Sequence, residues 1–398
     1  MAENPFSITP KLHADISRAQ MIALAIGVIF TGLTVAEYFI DRTQFFRSWT
    51  VGFLYPFAAG LGALAILMLQ YMSGGAWGMI IRRQMEAGAR TLPLLTVLFV
   101  PILFGTHELY NWADPAKVHA STVLTNKSGY LNLTWWLIRT AIVFVVWNIY
   151  SFVLNRLSAE EEKSGSFKAS KSLMAWSSIG LVIYVLSLTS AGVDWLMSMN
   201  DEWFSTIYGF ILLGGEGLTI VSVAIITTTL LMRESPMANI VTKKHLHDLG
   251  KLLFMFTLFW TYVSFSQLLI IWAGNLPEET SWYLDRMNGG WQYMAAFLLF
   301  FQWMLPFLIL LSQDIKKNPV TARTMAIWIL VVRLVDQIWL VEPNFHKAAF
   351  HVVWSDVTAP IGLGGVWAAY YLYQLKKRPL IPVNAPDLER ALAHGRAH

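Results

Sequence analysis

Cysteine is absent from all 398 residues. This excludes disulfides, iron–sulfur clusters, thiolate zinc sites and c-type haem attachment on this chain, because each needs a sulfur ligand. Charge is scarce too: Asp, Glu, Lys and Arg make up 14% of the residues, where a soluble domain carries roughly a quarter. Histidine at matching depth is also missing. Only His107 falls well inside an apolar run, whereas a membrane-embedded b-type haem needs two facing histidines. His346 and His351 are five residues apart, which does not put two ligands on one helical face, so no metal site is expected. What the chain has instead is apolar bulk, 56% of its residues, and that points to lipid as its solvent.

Runs of about 20 apolar residues cross ~30 Å of hydrocarbon as helices. Ten are predicted, over 18–40, 46–71, 91–112, 131–154, 171–197, 203–232, 249–273, 291–311, 323–340 and 354–375. An even number puts both termini on one side. Lys and Arg concentrate in the segments on that side, which makes it cytoplasmic by the positive-inside rule. The polar ends, 1–17 and 376–398, read as dispensable cytoplasmic segments. Tryptophan is skewed to the opposite side: Trp49, Trp112, Trp135, Trp136, Trp195, Trp203, Trp272, Trp282, Trp291, Trp339 and Trp354 lie near outer ends, against an inner belt of Trp77, Trp176 and Trp328. Either the aromatic belt is uneven or the outer face docks a partner.

A shift of 157 positions lays Gly52, Phe53, Gly60 and Leu61 on Gly209, Phe210, Gly217 and Leu218. With a slip of a few residues Trp112-Ala113 falls on Trp272-Ala273. The second to fifth spans then pair with the sixth to ninth in the same orientation, a parallel repeat of the kind found in integral transporters. The expected fold is an all-α membrane protein with ten transmembrane helices. A four-helix bundle over 45–200 and another over 201–345 are flanked by peripheral helices over 18–44 and 346–375.

Ionisable groups inside a membrane are costly and pair up or line a polar path. The candidates are Glu37, His107, Glu108, Arg139, Asp194, Glu216, Arg333 and Asp336. His107 beside Glu108 suits proton exchange near neutral pH, though adjacent residues on a helix point about 100° apart. Arg139 and Arg333 are natural partners for Asp194, Asp336 or Glu108. Glu216, inside Gly214-Gly215-Glu216-Gly217, is the best single proton-carrier candidate, because small residues let helices close around it. His245, His247, Asp248 and Lys251, with Thr227, Thr228, Thr229 and Gln70, outline either an inner half-channel or a solvated loop.

The stretch from Phe265 to Tyr283, centred on Asn275-Leu276-Pro277-Glu278-Glu279-Thr280, joins Gly105-Thr106-His107-Glu108-Leu109-Tyr110-Asn111-Trp112 in a further signal. Together they resemble the polysulfide-reductase membrane-subunit family, called NrfD-like, and the likeness covers the ten spans. The resemblance implies a subunit of a quinol:electron-acceptor oxidoreductase of the alternative complex III type in the bacterial cytoplasmic membrane. Its implied partners are an NrfD-like sister subunit, a multihaem cytochrome c subunit and an iron–sulfur subunit. They carry haem c and the clusters, while this chain binds no redox cofactor and supports proton translocation and assembly. Quinone or menaquinone is the implied substrate of the complex, with the sister subunit as its main site. The family supplies no catalytic motif for these positions. Two other readings stand beside it: His107 and Glu108 accept the protons of quinol on this chain, or the chain is a proton-coupled secondary transporter with helices broken at Pro56, Pro101 or Pro306.

Overall fold

The computed structural model describes residues 6, 8–165, 167–386 and 388–396, and every regular element among them is helical. Eight helices are long and apolar enough to cross a membrane, or nine if one bent pair counts as a single span. They are α1 (Pro10–Ile40), α2 (Arg42–Ser73), the bent pair α3 (Ala76–Ala89) and α4 (Leu92–Phe104), α5 (Leu133–Ser164), α6 (Phe167–Trp195), α7 (Tyr208–Leu231), α8 (Lys243–Gly274), α10 (Trp291–Leu311) and α11 (Pro319–Val341). Between α8 and α10 lies the short α9 (Pro277–Arg286), and the chain ends in α12 (Trp354–Leu375) and α13 (Leu388–Arg396). The chain is thus a multi-pass helical membrane protein. α12 has the predicted limits but is not among the eight apolar helices.

Two helices form the centre. In α2 89% and in α7 78% of the most apolar window is buried, against 11% in α1. A helix apolar all round is either enclosed by protein or faces lipid, and these values separate the two cases. α2 and α7 pack on each other; α6 and α11 each touch both. α8 lies against α7, α3 and α4 against α2, and α5 against α6. At one end Lys11 pairs with Glu234, Lys376 donates to Ser17 and Arg378 pairs with Glu86. At the opposite end, hereafter the far end, Arg42 pairs with Glu108 and Gln44 donates to Asp356.

α1 rests mainly on α12 through glycines. A Cβ added at Gly27 would lie 2.5 Å from the Val366 nitrogen, and one at Gly362 would lie 2.5 Å from the Thr31 nitrogen. The two backbones therefore touch, as small residues permit between membrane helices.

Four expectations need correction. The span over 91–112 is shorter: α4 stops at Phe104, so His107 and Glu108 lie on a separate turn, Thr106–Leu109. Pro93 opens α4, where its missing N–H costs nothing, and α3 meets it at 40°. The stretch before it, read as a loop, is the buried α3. Its Arg82, Arg83 and Glu86 are hidden because they neutralise one another and reach Glu161, Glu162 and Arg378. The tail read as dispensable is packed down, with Leu380, Ile381, Ala385, Leu388 and Ala391 buried. His245, weighed as part of a solvated loop, is buried beneath it, 3.4 Å from the Ala391 carbonyl.

The far-end tryptophans are mostly internal. Trp49, Trp112, Trp136, Trp195, Trp203, Trp282 and Trp291 are buried, so much of their excess there is packing, while Trp135, Trp272 and Trp354 are exposed. Of the three prolines named as breaks, Pro56 sits in a continuous helix, while Pro306 follows a π-helical turn, Leu299–Met304, that interrupts α10. Replacing Gly27 with Leu is expected to unseat α1 from α12. The outcome to look for is a lower melting temperature in detergent and faster proteolysis within α1, with residue 32, where a Cβ meets open space, as the tolerant control in Gly32→Leu.

Candidate functional site

The four central helices α2, α6, α7 and α11 enclose a small cavity of about 20 Å³, lined by Leu54, Phe57, Leu188, Glu216, Arg333 and Gln337 among others. That is room for a single water. Glu216 sits ~12 Å inside α7 from its first residue and is 2% exposed. One carboxylate oxygen accepts from the Tyr184 hydroxyl of α6, and the other has no hydrogen-bond partner among the described residues. Gln337 lines the same space, buried, with neither amide atom partnered. A water that bridges such groups satisfies atoms that otherwise cost free energy to bury.

The local sequence explains how a carboxylate comes to be there. Gly214 lies against the Trp260 backbone, Gly217 against the Phe256 ring and Gly215 against the Arg333 guanidinium, and each would collide if it carried a Cβ. The glycines flanking Glu216 thus admit α8 and α11 to contact distance. Arg333 pairs with Asp336 one turn along α11, while Gln302, on the π-helical turn of α10, faces Asp336. The Tyr55 hydroxyl caps the Leu330 carbonyl at 3.1 Å beside Arg333. A carboxylate, a phenol, a guanidinium and the Gln337 amide therefore meet where four apolar helices cross, and the Arg333–Asp336 pair leads on to Gln302. That arrangement can hold, accept and release a proton.

The other sequence candidates lie elsewhere. Arg139 grips Asp194 with Nε and Nη2 at 2.8 and 3.0 Å, the bidentate geometry of a strong pair. Arg139 also stacks on Tyr130 at 3.8 Å. Glu108 pairs with Arg42 at 3.0 Å, and His107 is exposed. The pair His107 and Glu108 is thus apart from Glu216. Glu37 is buried in α1 with one oxygen unpartnered.

Toward the end that holds the termini, Thr219, Ser222 and Thr228 of α7 are fully buried, with the Ser222 hydroxyl unpartnered. Gln84 donates to Thr228 at 2.8 Å. Beyond it Glu86 accepts from Arg82, Arg83, Ser158 and Arg378. This polar line passes through α3: of the inner residues foreseen, Thr228 meets Gln84, Thr227 meets the Tyr371 hydroxyl at 3.5 Å, Thr229 bonds carbonyls of its own helix, and Gln70 Oε1 has no partner among the described residues. Tyr184, Gln337, Gln84 and Glu86 were missed. Only the spacing of Arg82, Arg83 and Glu86, at i, i+1 and i+4 on one helix, carried a signal for any of them.

A second space lies toward the far end between α8, α9, α10 and α11. Its volume is about 530 Å³, and its walls include Trp260, Tyr283, Arg286, Trp303, Asp336 and Trp339. Gln267 links Ser205 Oγ at 2.7 Å to the Tyr283 hydroxyl at 3.1 Å. The Arg286 guanidinium lies 3.6 Å over Trp282 and donates to the carbonyls of Trp282, Trp339 and Leu340. Burial pulls its basicity below the ordinary arginine value. The indole nitrogens of Trp260 and Trp339 and the Ser264 hydroxyl are buried without a partner among the described residues. A pocket of this size, aromatic-walled with a few convergent donors, suits a flat lipid-soluble molecule that carries acceptor oxygens.

No family model and no curated protein matches this chain. Its chemistry is therefore argued from the arrangement alone. Because Asp194 is buried, removing its partner strands a charge. Arg139→Leu is expected to destabilise by roughly 3 kcal/mol, and Arg139→Leu with Asp194→Leu to recover most of that loss, as read from paired unfolding curves in detergent.

Proposed function

We propose that the chain is a cofactor-free integral subunit of a quinol:electron-acceptor oxidoreductase, of the ActF kind in bacterial alternative complex III, and that its own task is to carry protons. The observation behind this reading is Glu216: a deeply buried carboxylate with one oxygen free, facing a water-sized cavity beside Tyr184, Arg333 and Gln337. An acid retained at such depth is a functional group by default. Thr219, Ser222, Thr228, Gln84 and Glu86 supply a polar line from it toward the termini. Arg139, Asp194, Arg333 and Asp336 keep the surrounding charge paired, and Glu37, His107 and Glu108 belong to the far-end surroundings of the path.

The topology proposed with it has ten crossings, α12 being the tenth, with both termini cytoplasmic in the bacterial inner membrane. Two parallel-related bundles are supported by reciprocal packing: α2 holds α3, α4 and α6 as α7 holds α8 and α11, and α2 meets α7. The partners are the NrfD-like sister subunit, a multihaem cytochrome c subunit and an iron–sulfur subunit. Haem c and the clusters reside there. The chain alone catalyses nothing and also supports assembly.

A second reading is favoured by the aromatic space near Trp260. There the chain would itself bind a quinone or menaquinone, through indole and hydroxyl donors rather than through His107 and Glu108. Quinone-dependent protection of Trp260 and Tyr283 from photolabelling would support it; protection at His107 and Glu108 would move the site.

The first test is gentle purification through a C-terminal tag, with identification of co-eluting chains and a haem spectrum. Haem and iron–sulfur partners in fixed ratio are the expected result. A lone colourless chain, from membranes that contain the partners, would favour a proton-coupled transporter instead. Within the complex, Glu216→Gln is expected to lower protons moved per electron while assembly is retained, and unchanged stoichiometry would remove Glu216 as carrier.

A further inference from the structure

Where α11 ends, a second group of buried polar side chains gathers outside the junction around Glu216. Glu342 follows the helix and is fully buried, with neither carboxylate oxygen partnered among the described residues. Asp356, in the first turn of α12, is equally buried. It accepts from Ser48 Oγ at 2.5 Å, Gln44 Nε2 at 3.0 Å and the Val353 backbone nitrogen at 2.9 Å. Ser48 Oγ lies 2.9 Å from Ser355 Oγ, and Glu37 of α1 adds a third buried acid whose charge reaches Asp356.

The cation facing these acids is Arg47 of α2. Its Nη1 is 3.1 Å from His346 Nε2, and its guanidinium covers the Phe345 ring at 4.4 Å. Asp41 adds a carboxylate near Arg47 and Glu37. His346 Nε2 is also 3.9 Å from Glu342, and the His346 ring lies 4.2 Å from that of the exposed His351. Burial, then Arg47 and His351, push the His346 imidazolium down to about 4. A guanidinium only donates, so Nε2 bears the lone pair and the ring proton sits on Nδ1. Three buried acids, Glu342, Asp356 and Glu37, with Asp41 beside them, face the Arg47 guanidinium, so the group is short of positive charge. A mobile proton supplies it.

We propose that Glu342 and Asp356 form the far-end proton port of the chain, with His346 as its outermost relay and Arg47 as the group that holds the relay closed. The proposal rests on the reading of Glu216 as carrier. Gln337, which lines the Glu216 cavity, stands five residues before Glu342, ~7.5 Å along the helix axis and about 140° around it, so the proton passes from one face of α11 to another on water. In the release step the O–H bond of the Glu342 acid breaks and its proton forms an N–H bond at His346 Nε2, leaving a carboxylate. Arg47 must withdraw first, because it occupies that lone pair. The imidazolium then gives its Nδ1 proton to far-side water, and the ring turns over to restore the contact with Arg47. No oxidant or reductant enters.

The test uses the full chain with its co-purifying chains in sealed vesicles, comparing Glu342→Gln, His346→Ala and Glu216→Gln for proton movement. Infrared spectroscopy follows hydrogen–deuterium exchange of buried carboxyl groups in the same samples. Glu342→Gln is expected to remove one carboxyl band. His346→Ala, at a partly exposed position, is expected to slow exchange of that band at least ~10-fold with the fold unchanged. Full proton movement in Glu342→Gln, with loss in Glu216→Gln, overturns the port and leaves the carrier reading standing. Full movement in both variants overturns the carrier reading itself. Should Glu342→Gln fail to fold, unaltered band exchange and proton flux in His346→Ala overturn the relay.

Discussion

An ionised side chain has almost no stable place in hydrocarbon, and the arrangement of this molecule follows from that constraint. Most of the charges within its apolar mass have a partner of opposite sign or a donor network beside them. Arg139 has Asp194, Arg333 has Asp336, and Arg82, Arg83 and Glu86 are joined with Glu161, Glu162 and Arg378. Glu216 departs from the pattern. It has a phenol on one oxygen and a small empty space at the other, so its charge is left to be settled by protons rather than by a counter-ion.

Glycine makes that departure possible. Around Glu216 the three glycines of α7 let an aromatic ring, a backbone and a guanidinium approach closely. On α1 and α12 the same device brings two backbones together. Close approach thus serves two ends in one chain: it excludes lipid from a polar junction, and it fastens a peripheral helix. The larger aromatic space near Trp260 arises in the opposite way. Bulky rings and the π-helical turn at Leu299–Met304 keep α8, α10 and α11 apart.

The helical membrane class was legible because apolar runs of spanning length leave few alternatives, and helix limits such as 354–375 could be read directly. Glu216, Arg333 and Asp336 stood out for the same reason, as rare charges in long apolar runs. What escaped was whatever charge could hide. α3 looks like a loop because hydropathy counts Arg82, Arg83 and Glu86 as exposed, and only tertiary pairing makes them interior residues. Glu342 sits just beyond one apolar run and Asp356 at the very start of another, where an acid is ordinary, and nothing linear says that both are covered. Gln337 and Tyr184 carry no charge, so they give no signal until the helices they face are known. The tryptophan excess misled in the other direction, since position along a span does not tell whether a ring faces lipid or core.

The contact between α1 and α12 joins two helices that lie far apart in the sequence. α1 has little other surface to lean on, for most of its length faces outward. Its seat on α12 therefore exists only once the segment that carries α12 is in place. Without α12 the Gly27 face of α1 is an open groove, and any other helix with a small-residue face can fill it.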